Sequence, residues 1–208
     1  ERVATPQLGG TQDIAARNWL RGQGLVTDAQ GGGDVSIVPQ ENAQTLEAFK
    51  AGDIAGAWVP EPWGTRLVQE GGGKVLVDER DLWPGGRFVT THLIVATSFL
   101  EEHPAAVKAL LEGQVAANEA IAEDPELAKK TVNDAIERAT GKRIAQGVID
   151  AAWPNLTFTN DPIAPSLTGS AKAAEDLGLL KPTKLDGIYD LTLLNEVLSA
   201  AGVDTIEA

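Results

Sequence analysis

The 208-residue chain contains no cysteine and no methionine. The first absence removes disulfides, thiolate nucleophiles, iron–sulfur clusters and cysteine-ligated zinc together. The second includes the initiator, so the expectation is that Glu1 is not the start of the translated product and that something upstream was removed. Basic charge is scarce as well: 17 Lys and Arg against 30 Asp and Glu give a net charge of -13. No basic stripe compensates it locally, which argues against nucleic acid and against anionic membrane surfaces as partners. A small anionic ligand stays open, because exposed charges more than about 8 Å away are screened at physiological salt.

Long apolar runs are missing too. No stretch of about 18 uninterrupted apolar residues offers a membrane span, and no basic-then-apolar segment at the N-terminus marks a signal peptide. Histidine occurs only as His92 and His103. They are not spaced as a His-Glu-x-x-His pair, so no metal is expected, and no cofactor. Catalytic templates fail in turn: there is no Gly-x-Ser-x-Gly elbow, no phosphate-binding loop of the Walker type and no Gly-x-Gly-x-x-Gly opening a helix. Gly22-Gln-Gly24 closes a helical pattern and lacks a third glycine. With 43% hydrophobic residues, the chain can nonetheless bury a sizeable core.

Turning to what is there, residues 1 to 98 alternate strand-like and helical patterns. Strand-like runs fall at 2–6, 34–38, 54–59, 74–77 and 88–97. Helical patterns fall at 11–21, with Ala15, Ala16, Trp19 and Leu20; at 42–51, with Leu46 and Phe49; and at 62–70, with Leu67 and Val68. Gly52 and Gly71 stand where helix C-caps belong, and Pro62 where a first-turn proline is tolerated. This predicts an α/β lobe with a parallel-type sheet. After residue 98 the pattern becomes helical, at 103–122, 125–139, 143–152, 166–178 and 190–201, with one strand candidate at Leu156–Phe158. Those helices read as covering a sheet that the segment itself does not contain.

Open α/β sheets bind ligands beyond the C-terminal ends of their strands. Two loops belong there, Gly9-Gly10-Thr11-Gln12 after the first strand and Pro60-Glu61-Pro62-Trp63 after the third. In the first, the pattern predicts a helix capped by Thr11, with unpaired N–H groups that Gly9 and Gly10 leave accessible to an oxyanion. Ordinary capping by Thr explains the same residues without any ligand. Glu61 has two readings, contact with a ligand amine or an acid favoured at a helix start. Trp58 and Trp63 have the pattern of packing residues, and one of them can line the cleft. Of Thr90 and Thr91, strand alternation lets one reach a ligand, and Thr91 is the candidate. His92 and His103 read as structural.

Several stretches carry a resemblance. Val3-Ala-Thr-Pro-Gln-Leu-Gly-Gly-Thr-Gln-Asp13, Ala57-Trp-Val-Pro-Glu-Pro-Trp63, Phe88-Val-Thr-Thr-His-Leu-Ile-Val95 and Phe99-Leu-Glu-Glu-His-Pro104 resemble the substrate-binding proteins of nitrate, aliphatic sulfonate, taurine and bicarbonate ABC transporters. Phe158-Thr-Asn-Asp-Pro162, Asp176-Leu-Gly-Leu-Leu180 and Asp186-Gly-Ile-Tyr-Asp-Leu-Thr-Leu-Leu-Asn195 are similar to that family's closing segment, in the same order. The resemblance implies an α/β fold of the periplasmic-binding-protein type II. One complete lobe would span residues 1–98, and the helical C-terminal part, 99–208, would cross over and return to an incomplete first lobe.

It further implies capture of a small oxyanion, an aliphatic sulfonate or taurine, for delivery to a membrane permease and its ATPase, with the protein in the periplasm or anchored outside the membrane. Nitrate or bicarbonate binding is the neighbouring reading. Same-fold enzymes of the desulfinase or pyrimidine-precursor synthase type are the competing one, although the desulfinase type needs a cysteine that this chain lacks. On this comparison the N-terminal part of the first lobe is missing, and a second chain or an upstream segment would complete the cleft. The ligand-binding residues expected are Gly9, Gly10, Thr11, Gln12, Glu61, Trp63 and Thr91, and no residue is expected to be catalytic.

Overall fold

The computed structural model describes residues 1–207. It is a mixed α/β structure, mostly helical with one small parallel sheet, and it divides into two compact units. The first comprises residues 1–88, 145–156 and 166–183; the second comprises 89–144, 157–165 and the chain from Lys184 onward.

In the first unit, β1 (Arg2–Thr5), β2 (Ser36–Pro39) and β3 (Gly56–Ala57) form a sheet in the order β2-β1-β3. Both pairings are parallel, with Val3 opposite Ile37 on one side and Gly56 on the other. Parallel neighbours need a crossover, and helices supply it: α1 (Thr11–Gly22) joins β1 to β2, and α2 (Asn42–Ala51) joins β2 to β3. Helix α3 (Trp63–Gly71) follows β3 and packs against α2. Ala4 and Thr5 at the centre of the sheet are fully buried, and Ile37, Leu46, Ala16 and Leu20 close over them. On α1 the buried positions are Asp13, Ala16, Arg17 and Leu20, the i, i+3, i+4, i+7 stripe of an inward-facing helix, two of whose members are charged.

The second unit contains α4 (Thr97–Glu102), α5 (Pro104–Glu123) and α6 (Pro125–Thr140). Between them and the final helix run α7 (Gln146–Ala152) and most of α8 (Ala164–Asp176), which belong to the first unit. Helix α9 (Thr192–Ala200) then packs on α5 in the second unit, with Val115, Leu194, Val197 and Leu198 buried at the contact. Prolines at the first turns of α5 and α6 and the left-handed Gly141 after α6 set the helix limits that the sequence signals. Asp124 caps α6 by accepting from the Leu127 N–H at 3.0 Å.

Three strand expectations are corrected. Residues 74–77, 88–97 and Leu156–Phe158 are extended or irregular but form no ladder among the described residues. They have the residue types of strands, yet a strand exists only where a neighbour pairs with it, and none does here. Leu76 and Ile94 stand 86% exposed as a result. The remaining helices fall within a few residues of their sequence limits.

Candidate functional site

The C-terminal ends of all three strands lie on one edge of the sheet, because all three run in the same direction. At the end of β1 the chain makes a β-turn in which the Gly10 N–H donates to the Gln7 carbonyl at 3.1 Å. Gly9 sits at its third position with φ +72°, a left-handed conformation that needs glycine. A side chain on Gly10 would meet the Gln7 carbonyl oxygen at 3.2 Å. The glycines are thus explained by the turn itself.

Thr11 is not the N-cap. That position belongs to Gly10, in an extended conformation and without a side-chain cap, and the Thr11 hydroxyl donates instead to Gln12 Oε1 at 3.0 Å. The expected open donors also shift along the chain. The Gly9 N–H is taken by Asp13 Oδ2 at 2.9 Å and that of Gly10 by Gln7, whereas the N–H groups of Thr11, Gln12 and Asp13 have no acceptor among the described residues. The first helical acceptor used is the Gly10 carbonyl, by Ile14. The N–H groups of Thr11 and Gln12, on partly exposed residues, and the positive end of a twelve-residue helix therefore remain at this strand tip, while the Asp13 N–H is enclosed with its residue.

Asp13 and Arg17, which the sequence reading passed over, hold this tip in place. The Asp13 carboxylate is fully buried; besides the Gly9 N–H it accepts from the Thr5 hydroxyl at 2.8 Å and from Arg17 Nε at 2.9 Å. Arg17, 2% exposed, donates through Nη1 to the Asp28 carbonyl and leaves Nη2 without a partner. The carboxylate thus ties strand end, turn and helix into one network. A signal was present: Asp13 and Arg17 are four residues apart on the same helical face as Ala16 and Leu20.

At the end of β3, Glu61 precedes Pro62 through a cis peptide bond, and its carboxylate turns forward onto α3. Oε2 accepts from the Thr65 N–H and Oε1 from the Thr65 hydroxyl, both at 3.0 Å, and Asn155 Nδ2 donates to Oε1 at 2.7 Å. Of its two sequence readings, the helix-start acid describes these contacts. Trp63 is half-buried and carries the Arg66 guanidinium 4.5 Å from its ring centroid. Trp58 packs against Trp19 at 6.0 Å and donates to Glu79 Oε2 at 2.7 Å; Trp83 donates to the other oxygen of Glu79 at 3.2 Å. Burial raises the Glu79 carboxyl above the ordinary glutamate range, and the two indole bonds pull it part of the way back.

Gly9, Gly10, Thr11, Gln12, Glu61 and Trp63 therefore share the strand-end edge of the first unit. Thr91 belongs to the second unit, exposed in a segment that forms no strand. Beside it His92 is engaged by its own unit, with Nε2 3.0 Å from the Pro162 carbonyl and its ring edge-on to Tyr189. No group of acidic and histidine side chains among the described residues is arranged to hold a metal ion. No helix there is long and apolar enough to cross a membrane.

Comparison with known proteins gives matches over much of the chain. Over 147 residues, 68% of this chain, it is 28% identical to the taurine-binding periplasmic protein of Escherichia coli K12. Over 102 residues, 48% of this chain, it is 31% identical to the bicarbonate transport ATP-binding protein CmpC of Synechocystis sp. PCC 6803. These matches cover 44% and 15% of the two relatives, so the chain spans less than half the length of either. No solved structure matches. The NMT1-like family matches residues 1–135, and the chain belongs to it.

Proposed function

We propose that this chain forms part of the solute-binding component of an ABC importer and captures a small oxyanion, an aliphatic sulfonate or taurine. The observation that carries the reading is the tip of α1: the unpartnered N–H groups of Thr11 and Gln12, at a strand end. A sulfonate there gains charge-assisted hydrogen bonds and the helix dipole without a compensating cation. The overall charge of -13 does not oppose this, since exposed carboxylates are screened over about 8 Å. Gly9 and Gly10 shape the approach, the Gln12 amide adds a side-chain donor beside Thr11, whose hydroxyl is bonded to Gln12 Oε1, and Glu61 and Trp63 stand as more distant contacts on the same strand-end edge.

The relatives' names support the transport setting: one is a periplasmic binding protein for taurine, the other a component of bicarbonate transport. On this reading the ligand passes unchanged to a membrane permease driven by an ATPase, outside the cytoplasmic membrane, and no enzymatic step is required. The α/β unit is the second lobe, and a second chain or further sequence completes the cleft.

A thermal-shift screen against taurine, alkanesulfonates, nitrate, bicarbonate and pyrimidines tests the proposal. At one hundred times Kd, a bound anion stabilises the native state by about 2.7 kcal/mol, well within reach of such a scan. A rise in Tm with a sulfonate and none with a pyrimidine is expected. Absence of any shift with any anion, or release of product from an aryl sulfinate, sinks the reading.

A further inference from the structure

Glu79 receives two indole N–H groups on one carboxylate, Trp58 on Oε2 at 2.7 Å and Trp83 on Oε1 at 3.2 Å. In its ionised form each oxygen is an acceptor. A proton leaves one good acceptor, the carbonyl oxygen, and turns the other oxygen into an O–H donor. Indoles can only donate, so one of the two gives way when the proton arrives.

The two are not held alike. Trp58 follows β3 and is fixed by more than its side chain: its backbone N–H donates to the Ala4 carbonyl at 2.8 Å, and its ring packs on Trp19. Trp83 opens a short loop, Trp83-Pro84-Gly85-Gly86-Arg87-Phe88, whose two glycines are both left-handed, at φ +62° and +70°. The loop closes on itself, with Phe88 stacked on the Trp83 ring at 5.8 Å and 14°. Gly169 of α8 gives that ring its seat, since a Cβ there would come within 3.1 Å of it. Phe88 is also the last residue of the first unit before the chain enters the second. The longer indole bond therefore restrains the segment by which the chain leaves its unit.

We propose that Glu79 is a proton-operated latch on residues 83–88: ionised, it holds both indoles, and protonated, it keeps Trp58 and releases Trp83, so that the double-glycine turn opens and Phe88 is freed. Burial holds the carboxyl above the ordinary value of 4.5, the two indole bonds act against that, and the neighbouring Asp78 charge acts with it. No cation stands against the proton, because the Arg80 guanidinium is engaged by Asp78 and Asn155. The latch is separate from the helix tip at α1 and does not depend on the anion reading.

The indole N–H signals of the five tryptophans, followed by NMR on the 208-residue chain, test it, with Trp58→Phe and Trp83→Phe identifying the two that matter. From neutral pH to just above 4.5, with intrinsic exchange rates divided out, protection of the Trp83 indole N–H should fall about tenfold, the size of one hydrogen bond to a charged group. The Gly86 and Arg87 amides, which donate to the Trp83 and Pro84 carbonyls, should lose protection with it, and the Trp58 indole should not. Glu79→Gln should show the weakly protected Trp83 at both pH values. Equal protection of Trp83 at the two pH values, loss at Trp58 in step with Trp83, or a pH dependence that persists in Glu79→Gln overturns the latch.

Discussion

The turns after β1 and β3 are built from the same parts, a strand end, a bend and a helix with a carboxylate nearby, yet they finish in opposite states. After β3 the carboxylate precedes the helix and reaches forward, so that Glu61 takes the Thr65 N–H while the Pro60 carbonyl takes those of Trp63 and Gly64. The first turn of α3 is closed by the chain itself. After β1 the carboxylate sits inside the helix and reaches back to Gly9 and Thr5 as well as one turn on to Arg17, and leaves three donors uncapped. Whether a helix tip is free to receive an anion thus depends on which way its own acid faces. Both tips have an acid close by, but Glu61 stands before its helix and Asp13 inside its own, and at α3 the Pro60 carbonyl closes two further donors.

The largest effect expected is on the network that holds the β1 turn. Arg17→Ala leaves the Asp13 carboxylate buried without its cation, and loss of one partner of such a pair costs about 3–5 kcal/mol. Urea denaturation of Arg17→Ala and of Glu61→Ala compares the two turns directly. A loss below about 1 kcal/mol for Arg17→Ala would falsify the view that the ion pair, and not the glycines, sets the geometry of the tip.

Next in size is the removal of one open donor without touching the network. Thr11 occupies the first helical position and follows an extended Gly10, both of which suit proline. Thr11→Pro should keep the Tm of the free chain within a few degrees and weaken sulfonate binding about tenfold, because a hydrogen bond to a charged group is worth about 1.5–3 kcal/mol. The matching change at the other turn, Glu61→Ala, uncaps Thr65 and should cost stability of about 1 kcal/mol, with sulfonate affinity changed far less than in Thr11→Pro. Affinity following Glu61 and ignoring Thr11 would invert the comparison.

The sequence made much of this legible, for reasons that differ by element. Helical periodicity located α1, α2, α3, α5 and α6, since each carries a stripe of apolar residues that has to be buried. Parallel strands followed from the βαβ alternation. The failures at 74–77 and 88–97 have one cause: Val75, Leu76, Leu93 and Ile94 have strand character, but pairing is a property of neighbours and not of a residue. At the candidate site, the glycine turn and the helix start were readable, while the cap was misplaced by one residue and the open donors with it. The direction of a side chain decides that, and Asp13 could be read as a solvated first-turn acid until Thr5 and Arg17 were seen to enclose it.

The smallest effect concerns a third carboxylate at the β3 end, Glu79, held between the indole N–H groups of Trp58 and Trp83. Burial raises its folded pKa above the ordinary value of 4.5, so between that value and the folded one the native state binds more protons than the unfolded chain. Stability must then fall as pH rises through this interval, by the linkage of protons to folding. Glu79→Gln removes the titration and keeps an acceptor for one indole. It should therefore flatten the fall above the ordinary glutamate range in denaturant unfolding, with a change at neutral pH below about 1 kcal/mol. If the β1 turn is the only one with an adjustable tip, sulfonate affinity at acid and at neutral pH should be the same in Glu79→Gln as in the unsubstituted chain. A variant that altered affinity and left the pH slope of stability intact would make Glu79 part of the ligand site, and would dissolve the contrast between an open turn and a closed one.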